Sequence, residues 1–465
     1  MKLDTQSFTY GLESIYKNSR MEVQEDSYDT LEIQKHIRQR WINEKVDLLA
    51  RNKWTTQQKL SYALPKLSSV VDYAFENIPF YHEFYKSHGY KLGEIRSVDD
   101  FKCLPLLNKG ILRSVKTEDF IPRGISKDSP EFFWSSTSGS SGVALPILRD
   151  IGSVSNNVLS YYRMFQQLAG DEFSPDRWIY NIHHIRSWTS SMCGDYPTFT
   201  LNDIVEPEEF VRHLEQIRPV ILNLLPSYLP VLEPYATRIS ALKMKAIITN
   251  SEASSRHERE YYSAIFNTYV LDEYSSEEVG IIALECPHRH YHPDPDQVYV
   301  ELVDIESSSG DANLASVYCT DYLCRTMPFI RYDHGDIVST GGHDAYQCKC
   351  GKYGRTIERV EGRKDDCLKT LGGHYVPTAI VTNTLDSHFN ATPHVESFRL
   401  VQKRNISDLD FLYVGSDVNL VEALVASFAS ELKRILKMDV NLKTIRVDAL
   451  PTTASYKRKK IICEA

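Results

Sequence analysis

Six stretches of this 465-residue chain carry residue types that could do chemistry together. In "FWSSTSGSSGVALPI", residues 132 to 146, hydroxyl side chains alternate with glycines. Such a loop can wrap phosphate oxygens with N–H and O–H donors, because glycine allows close backbone approach. It holds neither the Gly-Lys-Ser/Thr of a Walker loop nor a Gly-x-Gly-x-x-Gly dinucleotide turn. "DEYSSEEVGIIALEC", 272 to 286, sets an aromatic ring beside hydroxyls and carboxylates, a set able to stack on a base and hold Mg²⁺. In "PFIRYDHGD", 328 to 336, Asp336 could accept two ribose hydroxyls and Arg331 could pair with phosphate. "ERVEGRKDDCLKTLGGHYVPT", 358 to 378, concentrates charge, and "LPTTASYKRKKII" ends in a basic run able to neutralise charge developing at phosphate. Cys286, His288, His290, His292, Cys348 and Cys350 supply thiolates and imidazoles suited to tetrahedral zinc. Each stretch taken singly also fits a plain connector, turn or solvated tail.

These residues need a scaffold, and the hydrophobic periodicity outlines one. Residues 30 to 90 place apolar side chains three and four apart, as helices do. From about residue 130, short β-rich runs ("RWIYNIHH", "VILNLL", "MKAIIT", "TYVLDEY") alternate with helical stretches, which predicts an α/β core with parallel strands. Residues 296 to 340 read as consecutive strands. Past a boundary near "VEGRKDD", "SFRLVQKR" and "DLDFLYVG" read as strands. The helix after them presents Val421, Leu424, Val425, Phe428, Leu432, Ile435 and Leu436 on one face, and "VNLKTIRVDAL" reads as a further strand. The expected layout is a large domain over 1–361, a hinge at 362–366 and a small mobile α+β domain over 367–465.

Composition narrows the function. With 42% hydrophobic and 25% charged residues the chain is that of a globular protein, and its net charge of -9 argues against nucleic-acid binding. No apolar run reaches the roughly 20 residues of a membrane span, and the first 18 residues lack a signal-peptide core. A cytoplasmic protein is expected. The nine cysteines make a poor disulfide framework and favour metal.

The order of the motifs resembles the adenylate-forming superfamily, and within it the phenylacetate–CoA ligase-like branch, over nearly the whole chain. "TSGSSG" (137 to 142) is similar to the family's phosphate loop, "YSSEE" (274 to 278) to its Tyr-Gly-x-Thr-Glu, and "RYDHGD" (331 to 336) to its ribose motif. "GRKDD" (362 to 366) resembles the hinge and "ASYKRK" (454 to 459) the segment with the adenylation lysine; "NIPFYHEFY" and "LPLLNKGILR" look like the branch's N-terminal region. The resemblance implies that Thr137, Ser138, Gly139, Ser140, Ser141 and Gly142 hold ATP phosphates. It implies that Glu252 lines the adenine pocket, Tyr274 stacks on adenine, Glu278 ligates Mg²⁺ and Asp336 holds the ribose. Arg363 would also contact the nucleotide, beside the Arg331 already read as a phosphate contact; Asp365 would be the hinge and Lys457 the catalytic lysine. Ser275 and Tyr456 replace family glycines, and the second change leaves Lys459 as the alternative lysine.

The resemblance further implies a structural zinc site on Cys286, His292, Cys348 and Cys350, and a homodimer. The implied reaction is ATP-dependent activation of a carboxylic acid as its acyl-adenylate, then transfer to CoA, an amine, a carrier-protein thiol or a protein side chain. A non-catalytic nucleotide-binding homologue is the rival. The resemblance also implies that the acid pocket falls on "YNIHHIRSW" and "NLLPSYL", whose His, Trp and Tyr suggest an aromatic or heteroaromatic acid.

Overall fold

The computed structural model describes residues 30–126, 132–136, 145–173, 179–183, 198–200, 207–305, 313–364, 367–372, 375–376, 378–389, 392–450 and 460–464. It is a mixed α/β fold in which helices flank extended sheets. Three helices come first: α1 (Thr30–Ala50), α2 (Thr56–Asn77) and α3 (Pro79–Ser87). A capping box starts α2, the Thr55 hydroxyl accepting from Gln58 N–H while the Gln58 side chain takes Thr55 N–H. Its Ala63, Leu67, Val70, Val71 and Ala74 form a buried stripe at helical spacing, as the periodicity predicts.

The short β1 (Leu107–Asn108) runs into α4 (Lys109–Arg113), which Asn108 caps by accepting from Ile111 N–H at 2.9 Å. β2 (Phe132–Ser136) and β3 (Pro146–Asp150) form an antiparallel pair. The hydroxyl–glycine loop between them, Thr137 to Gly142, lies outside the described residues.

The chain divides into two compact units. One comprises Met1–Lys45, Tyr161–Asn250 and Tyr262–Val270. It holds four parallel strands, β4 (Ile179–His183), β5 (Thr198–Thr200), β6 (Ile221–Leu224) and β7 (Ala246–Thr249), in the order β5-β4-β6-β7. Leu222, Leu224 and Ile247 pack with Phe210, Val211 and Leu214 of α5 (Pro207–Ile217) and Ile239 of α6 (Ala236–Ala241). The parallel alternation expected from the β-rich runs is therefore present.

The other unit comprises Val46–Ser160, Ser251–Tyr261 and Leu271–Ala465. The start of α7 (Arg256–Phe266) and all but the first two residues of β8 (Tyr269–Ser276) belong here, followed by β9 (Gly280–Glu285), β10 (Tyr291–Pro293), β11 (Val298–Ile305), β12 (Leu314–Asp321), β13 (Tyr332–Gly341) and β14 (Thr356–Arg363). They pair antiparallel in the order β11-β12-β13-β14-β10-β9-β8, and β1 joins β13 in parallel through Leu107↔Tyr332 and Asn108↔Asp333. One large core fastens α2 and α3 here, and Tyr81 donates its hydroxyl to the carbonyl of Pro328 at 2.7 Å.

The C-terminal stretch has a sheet and a core of its own within this unit. After β15 (Leu368–Lys369), β16 (Tyr375–Val376) and α8 (Thr378–Phe389) come β17 (Val395–Gln402), β18 (Asp408–Gly415), α9 (Val418–Leu436), β19 (Asn441–Arg446) and β20 (Ile461–Cys463), in the sheet order β19-β18-β17-β20. Val421, Val425, Phe428, Leu432 and Leu436 of α9 are buried, with Leu424 and Ile435 at the margin, so the amphipathic stripe reads as expected. Among the described residues no helix is long and apolar enough to cross a membrane.

Candidate active site and metal centre

β8 and β13 bring the second and third motifs together. Tyr274 is buried on β8, and its Oη donates to Asp336 Oδ2 on β13 at 2.7 Å. Tyr332 Oη donates to Glu278 Oε1 at 3.0 Å. Alternation along β13 puts Tyr332, His334 and Asp336 on one side of the strand. Within that run Gly335 takes φ 75°, where its N–H reaches Asp333 Oδ1 at 2.8 Å. A β-carbon would strain this conformation, which is why the motif holds glycine there. Across the register Asp336 pairs with Arg363 of β14, whose Nε lies 3.7 Å from Asp336 Oδ1.

Tyr274, Glu278, Asp336 and Arg363 thus form one cluster of a phenol ring, two carboxylates and a guanidinium. Burial, and then the Asp336 charge, pushes the Tyr274 phenol well up, so it stays a neutral donor. Burial and Glu278 do the same to Tyr332. Two members were not singled out from sequence. Tyr332, four residues before Asp336, was legible as a same-face neighbour by strand alternation. Lys109, at the start of α4, follows the β1 residues registered on β13; burial lowers its ammonium, while the Glu278 carboxylate opposes that shift.

Arg331 differs from expectation. It takes φ 48° just before β13, and its Nε and Nη2 form a two-pronged pair with Glu301 of β11 at 2.9 and 3.0 Å. Its Nη1 donates to the carbonyls of Lys102 and Leu104. The guanidinium is buried and engaged inside the protein, so it acts as an internal brace and not as the expected phosphate contact. Glu252 sits half-buried in the loop between β7 and α7. Thr137 to Gly142, Asp365, Lys457 and Lys459 lie outside the described residues.

The metal ligand set converges. One donor atom from each of Cys286, His292, Cys348 and Cys350 lies within 4.8 Å of all the others. His292 Nε2 is 3.2 Å from Cys350 Sγ, and the Cys286 and Cys348 sulfurs are 3.9 Å apart. Two similar turns present them. Cys286 N–H donates to His290 O and Arg289 N–H to Cys286 O; Cys348 N–H donates to Lys352 O and Gly351 N–H to Cys348 O. Arg289 (φ 66°) and Gly351 (φ 90°) take the left-handed conformation those turns need. Burial lowers His292, which keeps the imidazole neutral and able to bind metal. A hydrogen bond between the two sulfurs pushes the Cys286 thiol up and pulls the Cys350 thiol down. Three thiols and one imidazole in a mostly buried cluster fit a closed tetrahedral zinc site.

A buried ion network stands behind it. Arg259 of α7 grips Glu285 with Nε and Nη2 at 2.8 and 3.1 Å, and Glu285 also accepts from Arg289 and from Asp272 N–H. Tyr291 Oη donates to Asp272 Oδ2 at 2.8 Å. The network ties α7, β8 and β10 to the strand end that carries Cys286.

No protein-family model matches the chain. It is 21% identical to a phenylacetate-coenzyme A ligase of Aromatoleum evansii over 447 residues, covering 90% of this chain and 97% of that protein. A phenylacetate-coenzyme A ligase of Pseudomonas putida is 23% identical over 345 residues, covering 70% and 75%. Over most of its length the chain is thus similar to phenylacetate–CoA ligases. The fold agrees. A crystal structure of 2-hydroxyisobutyryl-CoA ligase in the postadenylation state superposes with a TM-score of 0.69 at 16% identity, covering 89% of this chain and 91% of that chain. An open conformation of the same enzyme, with 2-HIB-AMP and CoA, gives a TM-score of 0.63 at 15% identity.

Proposed function

We propose that this protein is a ligase that activates an aromatic or heteroaromatic carboxylic acid with MgATP and passes the acyl group to CoA. The observation carrying the proposal is the convergence of Tyr274, Glu278 and Asp336 through the Tyr274–Asp336 and Tyr332–Glu278 bonds. In the first half-reaction a carboxylate oxygen attacks the α-phosphorus, and the bond to pyrophosphate breaks. Asp336 holds the ribose hydroxyls, Tyr274 lies against adenine, and Arg363 and the 137–142 loop meet the phosphates. Glu278 would hold Mg²⁺, which offsets the phosphate charge. Lys457 bridges carboxylate and α-phosphate while negative charge builds up there. In the second half-reaction the CoA sulfur, having lost its proton, attacks the acyl carbon, and AMP leaves as the C–O bond breaks. Asp365 serves as the hinge about which the 367–465 domain exchanges the two sets of groups.

Zinc on Cys286, His292, Cys348 and Cys350 would cross-link β10, the end of β9 and the 346–354 loop. With all four positions taken by protein, its role is structural. The reaction is tested by acid-dependent pyrophosphate release from MgATP, with Lys457→Ala alongside. Release lost in the variant supports the reading; release unchanged in the variant removes Lys457 from it.

A further inference from the structure

An asparagine interrupts the apolar run of β4 ("IYNIH") and of β6 ("ILNLL"), and another follows that of β7 ("AIITN"). Buried parallel strands normally read as continuous Val, Ile and Leu, so the interruption needs a reason. It recurs at one edge. Asn181 of β4 is in register with Asn223 of β6, and Asn250 directly follows β7. All three stand toward the carboxyl ends of parallel strands, the side of an α/β sheet where ligands bind.

Leu222 and Leu224 pack into the helix-covered core, so alternation turns Asn223 to the opposite face. Both carboxamides are buried, Asn223 with 6% and Asn250 with 2% of the residue exposed. Asn250 Nδ2 donates to Asn223 Oδ1 at 2.6 Å. A carboxamide has two N–H donors and a two-lone-pair carbonyl, and this bond engages Asn223 only through its carbonyl. Its orientation is fixed by Asn250, and its N–H₂ group stands outside the pair. Burying such a group is unfavourable unless a partner receives it.

We propose that Asn223 is a specificity-determining residue of the acid pocket, and that the acid carries a hydrogen-bond acceptor, a hydroxyl or ring heteroatom, which the Asn223 amide reads. The proposal rests on the ligase reading for calling the ligand an acid. It narrows the substrate class from aromatic acids in general to polar-substituted ones. Asn250 is a positioning residue, because it holds the Asn223 carbonyl and so decides which edge of the amide faces the pocket. A pocket built to hydrogen-bond a substrate group discriminates strongly against analogues without it, since the protein group is then left unpaired.

The test is calorimetric titration of the full chain with matched acids: benzoate against 4-hydroxybenzoate and nicotinate, and propionate against 3-hydroxypropionate. The wild type should bind the polar member of at least one pair about tenfold more tightly or better. Asn223→Leu should erase or invert that preference, and Asn223→Ser, which keeps a smaller polar group in case leucine prevents folding, should retain part of it. Equal or weaker binding of every polar member overturns the proposal, as does a preference that survives Asn223→Leu. Pyrophosphate release on the same acids separates the two claims. A polar preference in binding without release contradicts the ligase reading and leaves the assignment of Asn223 standing.

Discussion

Tyr274 and Asp336 are 62 residues apart in sequence, yet the phenol of one donates to the carboxylate of the other at 2.7 Å. The bond joins the ring assigned to adenine with the carboxylate assigned to ribose, so the two are positioned as one piece. Asp336→Asn should weaken AMP binding by about 1.5–3 kcal/mol, roughly 10- to 150-fold, because hydrogen bonds to a charged group are lost. Tyr274→Phe keeps the ring and should lose only about 1 kcal/mol. Calorimetric titration with AMP measures both; unchanged affinity in Asp336→Asn would remove the ribose assignment.

Arg331 should behave as a brace. Arg331→Lys retains charge but loses the two-pronged bond to Glu301, and Arg331→Ala leaves Glu301 buried without that partner. The alanine variant should be destabilised by about 3–5 kcal/mol and the lysine variant by less. Denaturant unfolding reports the loss. A wild-type unfolding curve combined with a large rise in KM for ATP would return Arg331 to the phosphates.

Purified protein should contain one zinc per chain by elemental analysis. Cys350→Ser should remove the metal and lower the melting temperature, and a strong chelator should do the same to the wild type more slowly. Full-strength zinc binding after Cys350→Ser would show that the ligand set is different.

Alkaline stability should be limited by phenols. Tyr81, Tyr85, Tyr274, Tyr291 and Tyr322 all have phenols raised above the ordinary value of 10, chiefly by burial. A raised folded value means that the fold binds the proton more tightly than the unfolded chain does. Their contribution is complete below pH 10 and is lost as pH rises from there toward the folded values. Absorbance at 295 nm should show these tyrosines ionising only as the protein unfolds. Smooth, fully reversible ionisation of every tyrosine in the folded state would contradict the burial.

The parts legible in the sequence were those whose chemistry is local. The stripe of α9 follows from spacing alone, and the thiol and imidazole types of Cys286, His292, Cys348 and Cys350 limit what they can bind wherever the chain carries them. Arg331 was misread because its role depends on Glu301, thirty residues earlier, and on a positive φ that turns the side chain inward. Neither is visible in "RYDHGD". Lys109 stayed hidden for a related reason, since only the parallel register of β1 on β13 brings it toward Glu278. The C-terminal "KKIIC" was read for its charge, whereas Ile461–Cys463 form an edge strand beside β17. A three-residue strand has too little pattern to show by alternation.

The central claim is adenylation at the Tyr274–Glu278–Asp336 cluster, and the most direct measurement is pyrophosphate release from MgATP on adding acid, in wild type and Asp336→Ala. The account predicts release that requires an acid and falls by at least about tenfold in the variant. Acid-dependent release that is unchanged in Asp336→Ala, or no release with any acid from folded protein that binds AMP, would contradict it.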